Sequence, residues 1–456
     1  MISFRKGWLM WAWLLGCAAV QGDDLLGVYQ RALLHDPQYA AAQAQRRADD
    51  ERRIQGRAGL LPQVSVDAQN SWSETEYDLA GGRIEQRRQN RSYGIQLVQP
   101  LFRWQNWIQY EQGNLQQTLA IARLSSAEQT LILRVAEAYF EALNADEVLN
   151  AVQGLSLASG EQLASAKKNF ELGNVSVADV HEAQASFDRA GAQLIKARSE
   201  RELARHALAR IMGRQPGALK SLRSDMALTL PYPQDLDQWV AAAERSNLKV
   251  QVQELLLAVA ANDVRSRKAE YLPTVDLLIS QTMQQSPNAS TERTESGSIG
   301  LRLSAPLYSG GRLSSATREA QALRMQAEYE LEDARRSAAF ATRQAWSGVM
   351  DGMAQVKALE AARLSTQSAV ESNRLGYRIG MRTGIEVLEA QSQFSDTLQQ
   401  LTRARYDTLL AQLQLKAAVG VLEPNSLVEV NALLVNNDEP AAITMNDLGG
   451  STELTL

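Results

Sequence analysis

Two short stretches hold most of the side chains that could do chemistry, Gly173 to Glu182 and Gly380 to Glu389. In each, a glycine ends one helical pattern and a hydroxyl-x-x-acid spacing opens the next, as Ser176-x-x-Asp179 and Thr383-x-x-Glu386. Gly173 and Gly380 supply the left-handed conformation that a helix stop commonly requires. The hydroxyl and acid form a capping box: the hydroxyl accepts the N3 amide, and the carboxylate reaches back to the cap. Glu386 and Glu389 are three apart and so lie near one face of the helix that Thr383 opens. The chemistry these residue types permit is hydrogen bonding and charge placement. Helix capping accounts for Asp179 and Glu386 whether or not they have another task, and surface Glu and Arg are ordinarily solvated.

No catalytic constellation competes with these turns. His35, His181 and His206 lie far apart, lack cysteine neighbours and show no zinc spacing. The single cysteine, Cys17, allows no disulfide within the chain. No nucleotide loop of the form G-x-x-x-x-G-K-[ST] occurs, and Gly310-Gly311 reads as a turn from strand into helix. The expectation is a protein that is not an enzyme and needs no cofactor or metal, so any transport energy comes from a partner. A net charge of -5 with both signs interspersed advertises no nucleic-acid surface.

The elements that must position the two turns are written twice. Asp24 through Pro62 aligns without a gap on Asp235 through Pro273, and Gln99-Pro100-Leu101-Phe102 matches Ala305-Pro306-Leu307-Tyr308. This duplication divides the chain into a first repeat over 23–213, a linker over 214–234, a second repeat over 235–422 and a polar tail over 423–456. The tail reads as a short packed segment and then a disordered end. Residues 1–22 have the parts of a secretory signal: Arg5 and Lys6, an apolar run, then small residues. Leu14-Leu15-Gly16-Cys17 also resembles a lipoprotein box, so lipidation at Cys17 and ordinary cleavage after Ala19 or Gly22 both account for the same letters.

Each repeat predicts long helices and two short strands. Val135, Ala138, Ala142, Ala145, Leu149 and Val152 step by three and four, as do Thr342, Ala345, Val349, Gly352, Val356 and Leu359. That is the seam of helices that wrap one another. The stretch from Asn106 to Leu172 carries no proline and, at ~1.5 Å per residue, would run about 100 Å. Leu25 to Leu60 and Val177 to Met212 predict helices about half that length. Period-two alternation predicts strands over 62–72, 91–101, 273–283 and 297–307, with polar loops from Glu74 to Asn90 and Gln285 to Ser296. Any one of these strands fits a soluble sandwich; together they fit a membrane barrel, apolar to lipid and polar to the lumen. Four strands cannot close a barrel, so several chains must share one, and three chains would supply twelve strands. Trp72, Phe102, Trp104, Trp107, Tyr271 and Tyr308 stand near strand ends, where an interfacial belt would place them.

From Asp24 to Leu422 the chain resembles the TolC-type outer-membrane channel proteins of bacterial efflux pumps and type I secretion systems. The resemblance is carried by Asp24-Leu25-Leu26-x-x-Tyr29-x-x-Ala32, by the paired Leu-Pro and Pro-Leu strand borders, and by Tyr377-x-x-Gly380-x-Arg382-Thr383-x-x-Glu386-Val387-Leu388-Glu389-Ala390. It implies a mainly α homotrimer with a twelve-stranded transmembrane β-barrel in the outer membrane and a coiled-coil tunnel through the periplasm. The implied partners are outer-membrane lipid, a periplasmic adaptor (membrane fusion protein) and an inner-membrane transporter of ABC, RND or MFS type. By motif position it also implies Tyr377 and Arg382 as tethers of the closed end, Asp179 as their acceptor, and Glu386 with Glu389 as constricting rings. Two departures stand out: Ala178 replaces a hydroxyl residue that helps hold the arginine in the family's best-known form, and the ring positions carry Glu where that form has Asp. The reading from another class is a periplasmic coiled-coil scaffold or adhesin without a pore.

Overall fold

The computed structural model describes residues 23–223, 226, 228–286 and 293–435. The expected signal segment 1–22 with Cys17, part of the second polar loop, and the tail beyond 435 lie outside the described residues. Two helices dominate, α3 (Trp104–Glu171) with 68 residues and α7 (Arg312–Arg378) with 67, each about 100 Å long. α4 (Val177–Met212) returns along α3, and α8 (Gly384–Val419) returns along α7. The other stretch of α3 is covered by α2 (Pro37–Ala58), and that of α7 by α6 (Leu248–Ala269). Small residues hold these pairs close: Ala142, Ala145, Thr342 and Ala345 on the long helices, and Ala183, Ala190, Ala197 and Ala404 on the returning ones, are all buried. Phe187 departs from this seam, half out of the packing over Gly160.

Leu25 to Leu60 is not one helix. α1 (Leu25–His35) stops at Asp36, and α2 restarts with Pro37 in its first turn, where a missing N–H costs nothing. Asp36 caps α2 by accepting the Tyr39 amide at 2.8 Å and takes both ends of the Arg134 guanidinium at 3.0 and 2.9 Å. The second repeat breaks at the same place, between α5 (Leu236–Ser246) and α6, with no proline. There Asn247 accepts the Lys249 and Val250 amides and donates to the Ala418 carbonyl at 2.7 Å. The largest core lies beside the first break, where Leu25, Val28, Leu131, Tyr139, Leu208 and Leu427 are fully buried. The Tyr139 hydroxyl donates there to the carbonyls of Asp23 and Lys220.

The strands are longer than expected in the first repeat. β1 (Gln63–Leu79) and β2 (Gly82–Phe102) pair without interruption from Gln63↔Val98 to Leu79↔Gly82, so the stretch from Glu74 to Asn90 is a hairpin and not a loop. Cross-strand ion pairs such as Arg87–Glu74 at 2.6 Å support it beyond the point where apolar alternation ends. In the second repeat, β4 (Thr274–Gln285) and β5 (Arg293–Ser304) are each 12 residues. The sheet order is β1-β2-β4-β5, antiparallel throughout, which leaves β1 and β5 as its edges. A separate two-residue pair joins the linker to the tail: β3 (Ser221–Leu222), which precedes α5, pairs with β6 (Leu434–Val435), which follows the short α9 (Pro424–Asn431).

The register sorts the four strands into two faces. Val64, Leu97, Ile279 and Ile299 stand in one row, flanked by the rows holding Val66 with Ile95 and Leu277 with Leu301. The opposite face has Ser65, Gln96, Ser280 and Ser298 in one row and Asp67, Gly94, Thr282 and Ser296 in the next. The apolar face is uncovered in the single chain, with Val66 75% and Ile299 73% exposed. At its helical end Phe102, Trp104, Trp107, Tyr271 and Tyr308 are exposed together, whereas Trp72 stands alone toward the hairpin tip.

Candidate functional site

At the end of the long helices farthest from the sheet, each repeat turns back through a few residues. In the first turn Gly173 takes φ +75°, and the Asn174 amide donates to the Asn169 carbonyl at 2.8 Å, closing α3. Ser176 then opens α4: its hydroxyl oxygen accepts the Asp179 amide at 3.3 Å, and Asp179 accepts the Ser176 amide and hydroxyl, each at 2.8 Å. The Ser176 amide and hydroxyl hold the Asp179 carboxyl below the usual carboxylate range.

The second turn repeats this geometry and adds to it. Gly380 has φ +77°, and the Met381 and Arg382 amides both donate to the Gly376 carbonyl. Thr383 caps α8 by accepting the Glu386 amide at 3.3 Å, while Glu386 Oε2 accepts the Thr383 amide at 2.7 Å. The other carboxylate oxygen, Oε1, takes the Arg382 guanidinium at 2.5 Å. The Thr383 amide first, and Arg382 next, hold the Glu386 carboxyl below its ordinary value. Behind the cap Val387, Leu388 and Ala390 are buried, which leaves Glu389 exposed. Among the described residues Glu389 has no hydrogen-bond or ion-pair partner.

The structure therefore brings Tyr377, Arg382, Thr383 and Glu386 to one turn and leaves Asp179 at the other. Asp179 meets neither Tyr377 nor Arg382 within the chain; its own cap engages Oδ2 alone. The Tyr377 hydroxyl instead lies 3.4 Å from the Ser165 hydroxyl on α3. A further contact escaped the sequence reading: Gln162 of α3 packs so closely on Gly384 that a Cβ there would collide with its amide. Gly376 is similar, with Arg382 Cγ 2.5 Å from where a Cβ would stand. Gly376 and Gly384, one and seven residues from Tyr377, were the available signal, but their partners are remote in sequence or folded over the turn. Among the described residues no group of His, Cys, Asp and Glu is placed to hold a metal ion, and no helix is long and apolar enough to cross a membrane.

The family model for outer membrane efflux proteins matches residues 28–214 and 239–421. The chain belongs to this family. It is 30% identical over 420 residues to the outer membrane protein TolC of Vibrio cholerae, an alignment covering 91% of this chain and 94% of that one. It is 31% identical over 425 residues to the alkaline protease secretion protein AprF of Pseudomonas aeruginosa, covering 91% and 88% of the two chains. Among solved structures, the CmeC outer membrane channel of Campylobacter jejuni superposes with a TM-score of 0.75 over 91% of this chain and 90% of that one; at 15% identity the likeness is one of fold. Membership makes the chain an outer-membrane channel of efflux or secretion with a helical tunnel, in a family of channels rather than enzymes.

Proposed function

We propose that three copies of this chain close one twelve-stranded barrel in the outer membrane and continue it as a helical tunnel through the periplasm, a passive exit duct for an efflux pump or a type I secretion system. One observation carries the reading: a four-stranded sheet with two open edges, apolar on one face and polar on the other. Lipid tolerates no open edge, and four strands cannot curl into a barrel, so β1 of one copy pairs with β5 of the next. The dimensions agree. From the row of Val275 and Leu303 to that of Tyr93 and Met283 the strand climbs eight residues, about 27 Å along its length. At a tilt of ~40° that is about 21 Å of membrane depth, close to the ~25 Å apolar band of such barrels.

The closed end of the duct is the pair of turns. Arg382 and Tyr377 tether the second turn, and Asp179 of the neighbouring copy supplies the acceptor that the chain's own Asp179 does not. Glu386 and Glu389, multiplied around a threefold axis, form rings of carboxylate at the constriction. An end held by a few exposed charged hydrogen bonds has two nearly balanced states, and a periplasmic adaptor offering competing contacts shifts it open. The transporter in the inner membrane, of ABC, RND or MFS type, supplies the energy. The likeness to a protein named for alkaline protease secretion makes protein export the first system to test.

Reconstitution in a planar bilayer tests the duct. The wild type is expected to show a small single-channel conductance that rises when Arg382→Ser releases the second turn. Absence of conductance in both proteins would reject the duct and leave the periplasmic scaffold or adhesin standing.

A further inference from the structure

We infer that the outward face of the sheet carries a docking row for lipid headgroups bearing phosphate monoesters, set at the upper edge of the apolar band. The inference rests on the reading of the sheet as part of a membrane barrel. The register places Asn70, Arg91, Gln285 and Arg293 side by side across all four strands. They stand on the same face as Val64, Ile95 and Ile299, one pleat beyond the row of Ala68, Tyr93, Met283 and Glu295. With strands ~4.8 Å apart, the row spans about 14 Å. All four side chains can donate hydrogen bonds and none is an acid. The same outward face survives closure of a barrel, because closure pairs edges and leaves faces free.

Charge along this face is not evenly spread. Above the row, Arg87 is matched by Glu74 across the strands, and Arg83 by Glu76 and Asp78. Arg293 meets Glu295 two residues along its strand. Arg91 is exposed and, among the described residues, pairs with no acid. An unpaired guanidinium directly above an apolar band suits an anion at headgroup depth, and a phosphate accepts its forked donors in a way a zwitterionic headgroup does less well. The other edge of the band is different in kind, lined by Phe102, Trp104, Trp107 and Tyr308. Aromatic side chains suit any interface, whereas the guanidinium row suits anionic lipid on one side only. The occupant is therefore an outer-leaflet glycolipid carrying phosphate monoesters.

The full chain, purified and reconstituted, is offered diphosphorylated lipid A or the same lipid with its phosphates removed, and retained lipid is counted by native mass spectrometry. The wild type is expected to prefer the phosphorylated lipid. Arg91→Gln should reduce that preference about fivefold, at roughly one phosphate-facing cation per chain, and adding Arg293→Gln, whose guanidinium already meets Glu295, should reduce it little further. Arg91→Lys should keep most of it. Equal retention of the two lipids by the wild type, or unchanged preference in the double variant, would overturn the inference. So would displacement of the lipid by inorganic phosphate alone, which would mark a simple anion site. Insertion into vesicles is measured on the same samples: a wild type that fails to insert sinks the barrel, while loss of preference in an inserted variant concerns the row alone.

Discussion

Asp36 and Asn247 stand at the same place in the two repeats, so the chain contains its own comparison between a charged and a neutral helix break. Arg134 precedes Val135 of the α3 seam, whose counterpart is Thr342; the residue matching Arg134 is thus Ala341. One repeat closes its break with Asp and Arg; the other has Asn and Ala at these positions and closes through the Asn247 bond to the Ala418 carbonyl. Asp36→Asn alone keeps the cap, since Asn accepts the Tyr39 amide as well as Asp does. It leaves Arg134 without its anion. The Arg134 side chain is 26% exposed and Asp36 only 3%, so the loss falls below the ~3–5 kcal/mol of a fully buried pair, at about 2 kcal/mol. Arg134→Ala alone should cost more, about 3 kcal/mol, because it strands a buried carboxylate. The double variant carries the second repeat's residues at both positions and should lose only about 1–2 kcal/mol, a coupling of about 3–4 kcal/mol between the two sites. Urea unfolding in detergent, followed by far-ultraviolet circular dichroism, measures the cycle.

Acid provides a second arm of the same experiment. Burial alone would raise the Asp36 carboxyl, but the Arg134 guanidinium and the Tyr39 amide outweigh it and hold the group below its ordinary value. A depressed carboxylate contributes stability that is present above the unfolded value of ~3.9 and is lost as pH falls through the folded value. Wild type and double variant should therefore differ by a constant amount from pH 7 to 5 and converge only below about pH 4. A coupling under ~0.5 kcal/mol, or a double variant worse than the sum of the singles, would refute the account.

Gly56→Ala should drive α2 off α3, since its Cβ would stand 2.7 Å from the Gln109 carbonyl oxygen and 3.2 Å from Tyr110 Cα, backbone atoms that cannot swing aside; the expected loss is about 1–3 kcal/mol by the same unfolding measurement. Tyr377→Phe removes one long hydroxyl contact to Ser165 and should raise bilayer conductance less than Arg382→Ser, whose charged bond to Glu386 is 2.5 Å. Glu386→Ala with Glu389→Ala should weaken divalent-cation block several-fold, and Asp179→Ala should leave it unchanged; equal block in wild type and double variant would remove the two glutamates from the constriction.

Much of this was legible in local patterns. The proline-free run from Asn106 to Leu172 became α3 almost to the residue, and both capping boxes formed as their spacing requires. The break at Asp36-Pro37 had a visible signal in a cap residue followed by proline. The break at Asn247 had none, because what stabilises it is a bond to the Ala418 carbonyl, distant in sequence. The upper hairpin was hidden for a different reason: beyond Trp72 neither strand face is apolar, so alternation vanishes while cross-strand ion pairs continue the ladder. The two-residue pairing of Ser221 and Leu222 with Val435 and Leu434 carries no local mark at all. At the turns the letters gave the residues and their caps, but not that Asp179 would meet neither Tyr377 nor Arg382 within its own chain.

Two of the letters that distinguish the turns matter here: Arg382 stands where the first turn has Val175, and Glu386 has one methylene more than Asp179. Asp179 engages its cap through a single oxygen, Oδ2, and holds no other residue. Glu386, with the longer side chain, gives Oε2 to the cap of α8 and still extends Oε1 to Arg382. The bond to Arg382 and the cap thus share a carboxylate without sharing an oxygen. A competitor that draws Arg382 away breaks only the bond to Oε1, and α8 keeps its capping box throughout. Displacing the second turn in this way leaves the start of α8 folded, and its cost includes one exposed charged hydrogen bond, the contacts of Tyr377 and Gly384 with α3, and whatever packing of Val387, Leu388 and Ala390 the movement uncovers. An end built like this can move as a rigid capped helix, which is what a gate that opens and recloses requires.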